Sequence, residues 1–464
     1  MAKPGLFARE AAVRLLHAVL LERRLLIDIV NGEDSLLIDL EPSERARAQS
    51  LAMTTLRNLG PIDFVLQKYL TKQTPFALLN ILRVSAAEML VDGISAHAAV
   101  YSAVTMAKRR HKTAHLKDLA NAVLRKVASE GMEIFEGLEP QELPKAFRSQ
   151  MAKIVTKEEM TSIERSHQAG APVDLSFKDI KKANAFIENS NGIMMPNGSV
   201  RLKRAGQITE MNGFLDGDWW VQDLAASIPA KCFGDLSGKK VLDLCAAPGG
   251  KTMQLASMGA TVTALDISAK RLERVKQNLE RTKLKANCIA ADALKWKPVE
   301  RFDAILLDAP CSASGTIRRH PDLPFAKENF DLGELLKLQR ALLLKASNWL
   351  VPGGILIYST CSIFSAEGEG QVQWLAKQNN DLIPQKIDPK LIGLSENDTL
   401  TLCTVKLDPE GQKSESKEIA VKAFINKEFT GFCHDKVLEF GCDCAHRRKV
   451  DHRKLIDGTM LCIE

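Results

Sequence analysis

An all-helical front, a small mixed α/β connector and a doubly wound α/β domain form the multidomain architecture this sequence predicts. Three observations carry that expectation. From Lys240 to about Asn379, apolar strand runs alternate with helical patterns, the rhythm of a mostly parallel sheet. Residues 5–131 instead repeat apolar side chains at helical spacing. Between them, residues 172–217 show apolar alternation broken by Asn191-Gly192, Asn197-Gly198 and Asn212-Gly213 turns, with little helical period. The expected domains are therefore residues 1–135, 136–217 and 218–395, followed by a divergent tail over 396–464.

The helical front is read from shared faces. Leu15, Leu16, Val19 and Leu20 lie together, as do Leu51, Thr55, Leu56 and Leu59. Further helices are expected over Pro75–Leu90, Ala96–Arg110 and Leu116–Ser129, punctuated by Gly60-Pro61, Asp92-Gly93 and Gly131. Residues 136–169 are more polar and still helical in pattern. In the α/β domain the strands are expected at Val241–Leu244, Val262–Leu265, Asn287–Ala290, Ala304–Leu307 and Gly354–Tyr358. Helices are expected between and after them at Met253–Met258, Lys270–Thr282, Leu332–Leu350 and Gly370–Gln378.

Composition narrows the class. A chain of 464 residues can bury two or three cores. With 45% apolar and 26% charged residues it reads as an ordinary soluble globular protein. No apolar run approaches a membrane span. Ala11–Leu26 is interrupted by Arg14, His17, Glu22, Arg23 and Arg24, so it reads as an amphipathic helix rather than a leader or anchor. The 10 cysteines are too scattered for a disulfide scaffold, which makes free thiols and a cytoplasmic location the expectation. A net charge of +6 permits a polyanionic partner without establishing one.

Chemistry concentrates at the strand ends. Val241-Leu242-Asp243-Leu244 runs into Cys245-Ala246-Ala247-Pro248-Gly249-Gly250-Lys251-Thr252, a small, Gly-rich turn that lets a ligand approach backbone N–H groups at a helix start. A dinucleotide fingerprint would need G-x-G-x-x-G, which is absent. Gly250-Lys251-Thr252 matches the end of a phosphate-binding P-loop, but the first glycine of that motif would fall on Cys245. The third candidate ligand is S-adenosylmethionine. Asp266 ends the second strand, where a carboxylate can take ribose hydroxyls, and Asp292 follows the third, placed for an adenine edge. Helix capping would explain one such acid. Three acids at successive strand ends, with Asp308, favour the adenosyl cofactor over a P-loop nucleotide.

Two cysteines follow the last two parallel strands, Cys311 after Asp308-Ala309-Pro310 and Cys361 after Ser359-Thr360. Thiols beside an acid and a cofactor loop suggest covalent chemistry. A cytosine is a poor nucleophile at C5; a thiolate adding at C6 makes C5 an enamine carbon able to take a methyl group. The thiol must then ionise below its usual pKa of about 8.5. Asp308 can serve the base edge or the cofactor's amino group. Cys232, Cys245 and Cys288 fit the commoner fate of an inert buried thiol.

These residues resemble a family. Val241–Thr252, Asp308-Ala309-Pro310-Cys311-Ser312-Ala313-Ser314-Gly315 and Ser359-Thr360-Cys361-Ser362 are similar to the RNA cytosine-C5 methyltransferases with paired cysteines. The helical front, including Asn121-Ala122-Val123-Leu124-Arg125-Lys126, resembles the antitermination factor NusB. With Arg318-Arg319-His320-Pro321-Asp322, the combination resembles the bacterial methyltransferases of small-subunit (16S) ribosomal RNA. The resemblance implies that Cys361 attacks and Cys311 assists product release. It implies cofactor contacts at Cys245, Ala246, Ala247, Pro248, Gly249, Gly250, Lys251, Asp266, Asp292 and Asp308. It also implies a Rossmann-like methyltransferase domain, a target base swung out of its stack, and ribosomal RNA as partner, naked or in an early assembly intermediate. Neither a membrane nor a metal is expected.

Other features divide between function and plain structure. Lys108-Arg109-Arg110-His111-Lys112 suits a solvated helix terminus as well as RNA. Arg318, Arg319 and His320 follow the thiol motif directly and are expected to grip phosphates. Trp219-Trp220 could stack on a base, though packing suits at least one of them better. In the tail, Cys442-x-Cys444 lacks zinc-ligand spacing. Thr399–Leu407 alternates and could supply a last strand, whereas Thr430-Gly431-Phe432-Cys433 only faintly echoes the family's closing strand. Two other classes remain: a non-catalytic RNA-binding or assembly factor, and a P-loop-like NTPase.

Overall fold

The computed structural model describes residues 5–32, 35–203, 206–327, 331–378, 382–385 and 403–407. Its residues group into two compact units, one of residues 1–171 with 316–330, the other of 172–315 with 331–464.

The first unit is helical: α1 (Leu6–Leu20), α2 (Leu26–Asn31), α3 (Pro42–Arg57), α4 (Leu59–Gln67), α5 (Phe76–Leu90), α6 (Ala96–Arg109), α7 (Lys117–Glu136), α8 (Lys145–Met151) and α9 (Lys157–Ala169). The expected faces are the buried ones: Leu15, Leu16 and Val19 of α1 and Leu51, Thr55 and Leu56 of α3 are all enclosed. α5 is buried nearly all round, as befits the central helix of a bundle. Its two charges are consequently paired. Arg83 grips Asp63 with two nitrogens at 2.7 and 2.6 Å, and Glu88 accepts from Arg9 at 2.7 Å and Arg47 at 3.1 Å. α9 opens on a capping box between Thr156 and Glu159, so the helical unit continues through residue 171.

The second unit contains β1 (Val173–Phe177), α10 (Ile180–Glu188), β2 (Gly192–Met194), β3 (Val200–Leu202) and β4 (Trp219–Val221) in an antiparallel sheet of order β2-β3-β1-β4. It continues with α11 (Leu224–Lys231), β5 (Lys240–Leu244), α12 (Gly250–Ser257), β6 (Thr261–Asp266), α13 (Ala269–Thr282), β7 (Asn287–Ala290) and β8 (Phe302–Asp308). After α14 (Leu323–Ala326), which groups with the helical unit, come α15 (Leu332–Asn348), β9 (Leu350–Ser359), α16 (Glu369–Gln378), β10 (Leu382–Gln385) and β11 (Cys403–Leu407).

The main sheet has the order β10-β11-β9-β8-β5-β6-β7. β7, β6, β5, β8 and β9 are parallel; β11 pairs antiparallel with both β9 and the edge strand β10, so β10 again runs in the direction of β9. The chain winds outward from β5 to β6 and β7, then returns to β8 on β5's other side. That reversal is the switch point where an open α/β sheet leaves a crevice at its carboxyl ends. The alternating stretch expected to supply a last strand does so over Cys403–Leu407. β9 is longer than its expected core of Gly354–Tyr358, because pairing with β8 extends from Leu350 to Ser359 with a register shift beside Phe302. α15 accordingly stops at Asn348 rather than Leu350. The tail's other cysteines and histidines and Thr430–Cys433 lie outside the described residues.

Candidate active site

The crevice is built from the chain leaving β5, β6, β7, β8 and β9. Pairing sets Leu244 opposite both Leu265 and Leu307, Asp266 opposite Ala290, and Asp308 opposite Ser359. The acids and thiols that the sequence singled out therefore leave the sheet at one edge.

The loop after β5 is held in a shape few residues tolerate. Cys245 has φ 66° and Gly249 φ 100°, and a Cβ on Gly249 would stand 2.9 Å from Val275 on α13. The N–H groups of Cys245 and Ala246 donate to the Leu265 carbonyl at 2.9 and 3.0 Å. Ala246, Ala247 and Gly249 are buried, Pro248 is exposed, and Gly250 begins α12. Burial pushes the Cys245 thiol up to about 12, aided by Asp266, Asp308 and Asp243, and Cys232 likewise by burial. Both are inert as nucleophiles.

Each strand-end acid has local work. Asp266 is buried; one of its oxygens accepts from the Ala247 N–H at 3.1 Å and the other from the Ser268 N–H at 2.9 Å. Asp292 accepts from the Leu294 N–H at 2.9 Å and lies 3.5 Å from Lys295. Each oxygen of Asp308 is engaged, one by Lys251 Nζ at 2.8 Å and the other by the Ser359 hydroxyl at 2.9 Å.

Asp243 went unnoticed in the sequence. It is fully buried within β5. One oxygen accepts from the Thr252 hydroxyl at 2.6 Å, while Oδ1 has no partner among the described residues. Burial, with the charges of Asp308 and Asp266, pushes its carboxyl up to about 7, against the pull of Thr252 and Lys251. The available signal was an acid inside an otherwise apolar strand.

Cys311 Sγ and Cys361 Sγ stand 3.3 Å apart, the first partly and the second well exposed. Their loops are tied together. The Gly315 N–H donates to the Cys361 carbonyl at 2.9 Å, and a Cβ on Gly315 would come equally close to that oxygen. The hydroxyls of Ser312, Ser314 and Ser362 are each 3.1 Å from the other two. The pair is electrostatically unequal. A hydrogen bond from Cys311 lowers the Cys361 thiol, with Lys251 helping against burial and Asp308. Cys311 is raised well above its ordinary value by that hydrogen bond, by burial and by the charges of Cys361 and Glu367. Glu367 is a second residue the sequence reading missed. Its carboxylate is fully buried, accepting from the Ser312 N–H and from Gln339 Nε2 at 2.9 Å each and from the Ser312 hydroxyl at 2.5 Å.

The basic segment also has internal partners. Arg318 Nε donates to the Gly170 carbonyl, Arg57 donates to the Arg318 carbonyl at 3.3 Å, and Asp322 accepts from the Leu26 N–H at 2.8 Å. These contacts tie residues 318–322 into the helical unit. Trp219 and Trp220 are both buried, their indole N–H groups donating to the Asn212 carbonyl and to Gln222. Packing, not base stacking, is their role.

The sheet order and the cofactor loop are those of an S-adenosylmethionine-dependent methyltransferase. Residues 235–416 match the family model described as 16S rRNA methyltransferase RsmB/F, and residues 7–129 match the NusB family. The chain is 33% identical over 355 residues to ribosomal RNA small subunit methyltransferase B of Proteus mirabilis, covering 72% of this chain and 83% of that one. It is 34% identical over 387 residues to the protein of that name from Pseudomonas putida, covering 77% and 86%. It belongs to this family of 16S ribosomal RNA methyltransferases. The solved structure of PH0851 shares its fold, with a TM-score of 0.63 at 20% identity over 88% of this chain and 99% of that one. The NTPase and non-catalytic readings fall with this membership. Among the described residues no helix is long and apolar enough to cross a membrane, and no cluster of His, Cys, Asp and Glu could hold a metal ion.

Proposed function

We propose that the protein methylates C5 of a cytosine in small-subunit ribosomal RNA through a covalent adduct at Cys361, with Cys311 assisting its breakdown. The observation that carries this reading is the pair of thiols 3.3 Å apart, one lowered and one raised, at the mouth of a cofactor crevice.

The residues present fit the cofactor. Asp243 Oδ1 is a buried acceptor without a partner among the described residues, suited to the ammonium of a methionine moiety. The turn from Cys245 through Lys251, with Ala246, Ala247, Pro248, Gly249 and Gly250, would cradle its backbone; Asp266 would take the ribose and Asp292 the adenine edge. When bound, S-adenosylmethionine supplies an electrophilic methyl group.

The chain's own groups do the rest. Cys361, as thiolate, adds to C6 of the cytosine, making C5 nucleophilic toward the methyl carbon. Asp308, held by Lys251 and Ser359, would accept from the amino group of the base or of the cofactor and so orient it. Cys311, once its own proton has passed to solvent, takes the C5 proton; the C5–H pair forms the C5–C6 double bond, and the C6–S bond breaks with its electron pair returning to Cys361. Addition at a ring face requires the base to be unstacked. The substrate in this reading is small-subunit ribosomal RNA, naked or in an early assembly intermediate.

Bisulfite sequencing of cellular RNA with and without this chain tests the reading. One small-subunit cytosine should lose its protection when the chain is absent. An unchanged pattern would contradict it.

A further inference from the structure

The division of labour between the two thiols needs a physical cause, since their motifs alone leave both as free cysteines on adjacent loops. The carboxylate of Glu367 is the nearest unexplained group. It is fully enclosed, yet no cation is bonded to it among the described residues; its partners are the Ser312 N–H, the Ser312 hydroxyl and Gln339 Nε2. Burying a carboxylate on neutral donors alone is costly. Many supporting bonds hold it there. Gln339 also donates to the Pro310 carbonyl at 3.0 Å, Gln371 donates to Gln339 at 3.0 Å, and the Tyr358 hydroxyl donates to the Glu367 carbonyl at 2.6 Å. The whole network converges on the residues before and after Cys311.

We propose that Glu367 is a positioning residue that clamps the Cys311 loop against the Cys361 loop and, by its charge, keeps the shared proton on Cys311. Cys361 is thereby left as the thiolate. This deepens the covalent reading above and rests on it.

The charges around each sulfur support the assignment. Cys311 faces Glu367 from the turn before α16 and Cys361 from the loop after β9. Cys361 faces Cys311, Asp308 at the end of β8 and Lys251 at the start of α12. Among the described residues no cation is bonded to Glu367 beside Cys311, whereas the Asp308 carboxylate beside Cys361 is paired with Lys251, so a proton shared across 3.3 Å is driven toward Cys311. A thiol held protonated at rest is also the stronger base once its proton is lost, which suits the late step assigned to Cys311.

The test needs neither RNA nor cofactor, so its failure is separable from that of the methylation reading. Alkylation of the full chain with iodoacetamide, followed by peptide mapping across pH, measures each thiolate. In the wild-type protein Cys361 should titrate at least one pH unit below Cys311. In a Cys361→Ser background, which removes the coupling, Glu367→Gln should raise Cys311 labelling at neutral pH roughly tenfold, the effect of one pH unit on thiolate population. Glu367→Asp, which keeps the charge, should restore most of the slower rate. Cys311 titrating first in the wild type would overturn the proposal even if no variant folded. So would Cys311 labelling that Glu367→Gln leaves unchanged in a folded protein.

Discussion

Lys251 Nζ and Asp308 Oδ2 are 2.8 Å apart, joining the first helical turn after the cofactor loop to the strand end that precedes Cys311. Burial works against the Lys251 ammonium, but Asp308 beside it, with Asp243 and Cys361, outweighs that cost and raises its pKa. The same ammonium lowers Cys361. One cation thus holds the Asp308 carboxylate and favours the Cys361 thiolate.

Replacing that cation should therefore move the pH profile of methyl transfer. With Lys251→Met, Cys361 loses a stabilising charge and its thiol pKa rises, so the rising limb of kcat against pH shifts upward. Rate measurements between pH 6 and about 10 would show the displacement, on the order of one unit for a lost neighbouring charge. An unmoved limb with a lower plateau would reduce Lys251 to orienting Asp308.

Asp266→Ala should weaken S-adenosylmethionine binding by roughly 1.5–3 kcal/mol, the scale of lost charged hydrogen bonds. Part of that effect is indirect, since Asp266 also holds the Ala247 and Ser268 N–H groups. Calorimetry with the folded variant would reveal it. Unchanged affinity would remove Asp266 from the cofactor site.

Cofactor affinity should also depend on Asp243. Its carboxyl lies at about 7 in the free protein, and only the charged form can accept a bound ammonium strongly. Binding should then depress that pKa and release a proton, so affinity rises as pH increases through about 7. Calorimetry at pH near 6.5 in two buffers of different ionisation heat would count the proton released. Asp243→Asn should abolish the dependence.

Much of this arrangement was legible locally. The apolar runs of β6, β8 and β9 end on Asp266, Asp308 and Ser359, β5 runs straight into the Gly-rich turn after Leu244, and those changes mark the crevice. Asp243 and Glu367 were not legible, because their significance lies in partners that only folding supplies. Glu367 meets Ser312, a residue 55 positions away, and nothing in its neighbourhood announces that contact. A tie made by Arg318 was hidden for the same reason: its Nε donates to the Gly170 carbonyl, 148 positions earlier. The tie can be weighed: Asp322→Ala removes the acceptor of the buried Leu26 N–H and should lower stability by about 1–3 kcal/mol, read as a fall in Tm.

The covalent role of the thiols is tested most directly by trapping. Cys361→Ser should abolish methyl transfer, since a hydroxyl near its normal pKa cannot replace a thiolate. Cys311→Ser should keep the nucleophile and impair only the breakdown of the adduct. On denaturing gels with labelled small-subunit RNA and S-adenosylmethionine, Cys311→Ser should show a stable protein–RNA band. Cys361→Ser and the double variant should show none. A band from Cys361→Ser alone would exchange the two roles, and full activity without a band in either single variant would contradict covalent catalysis.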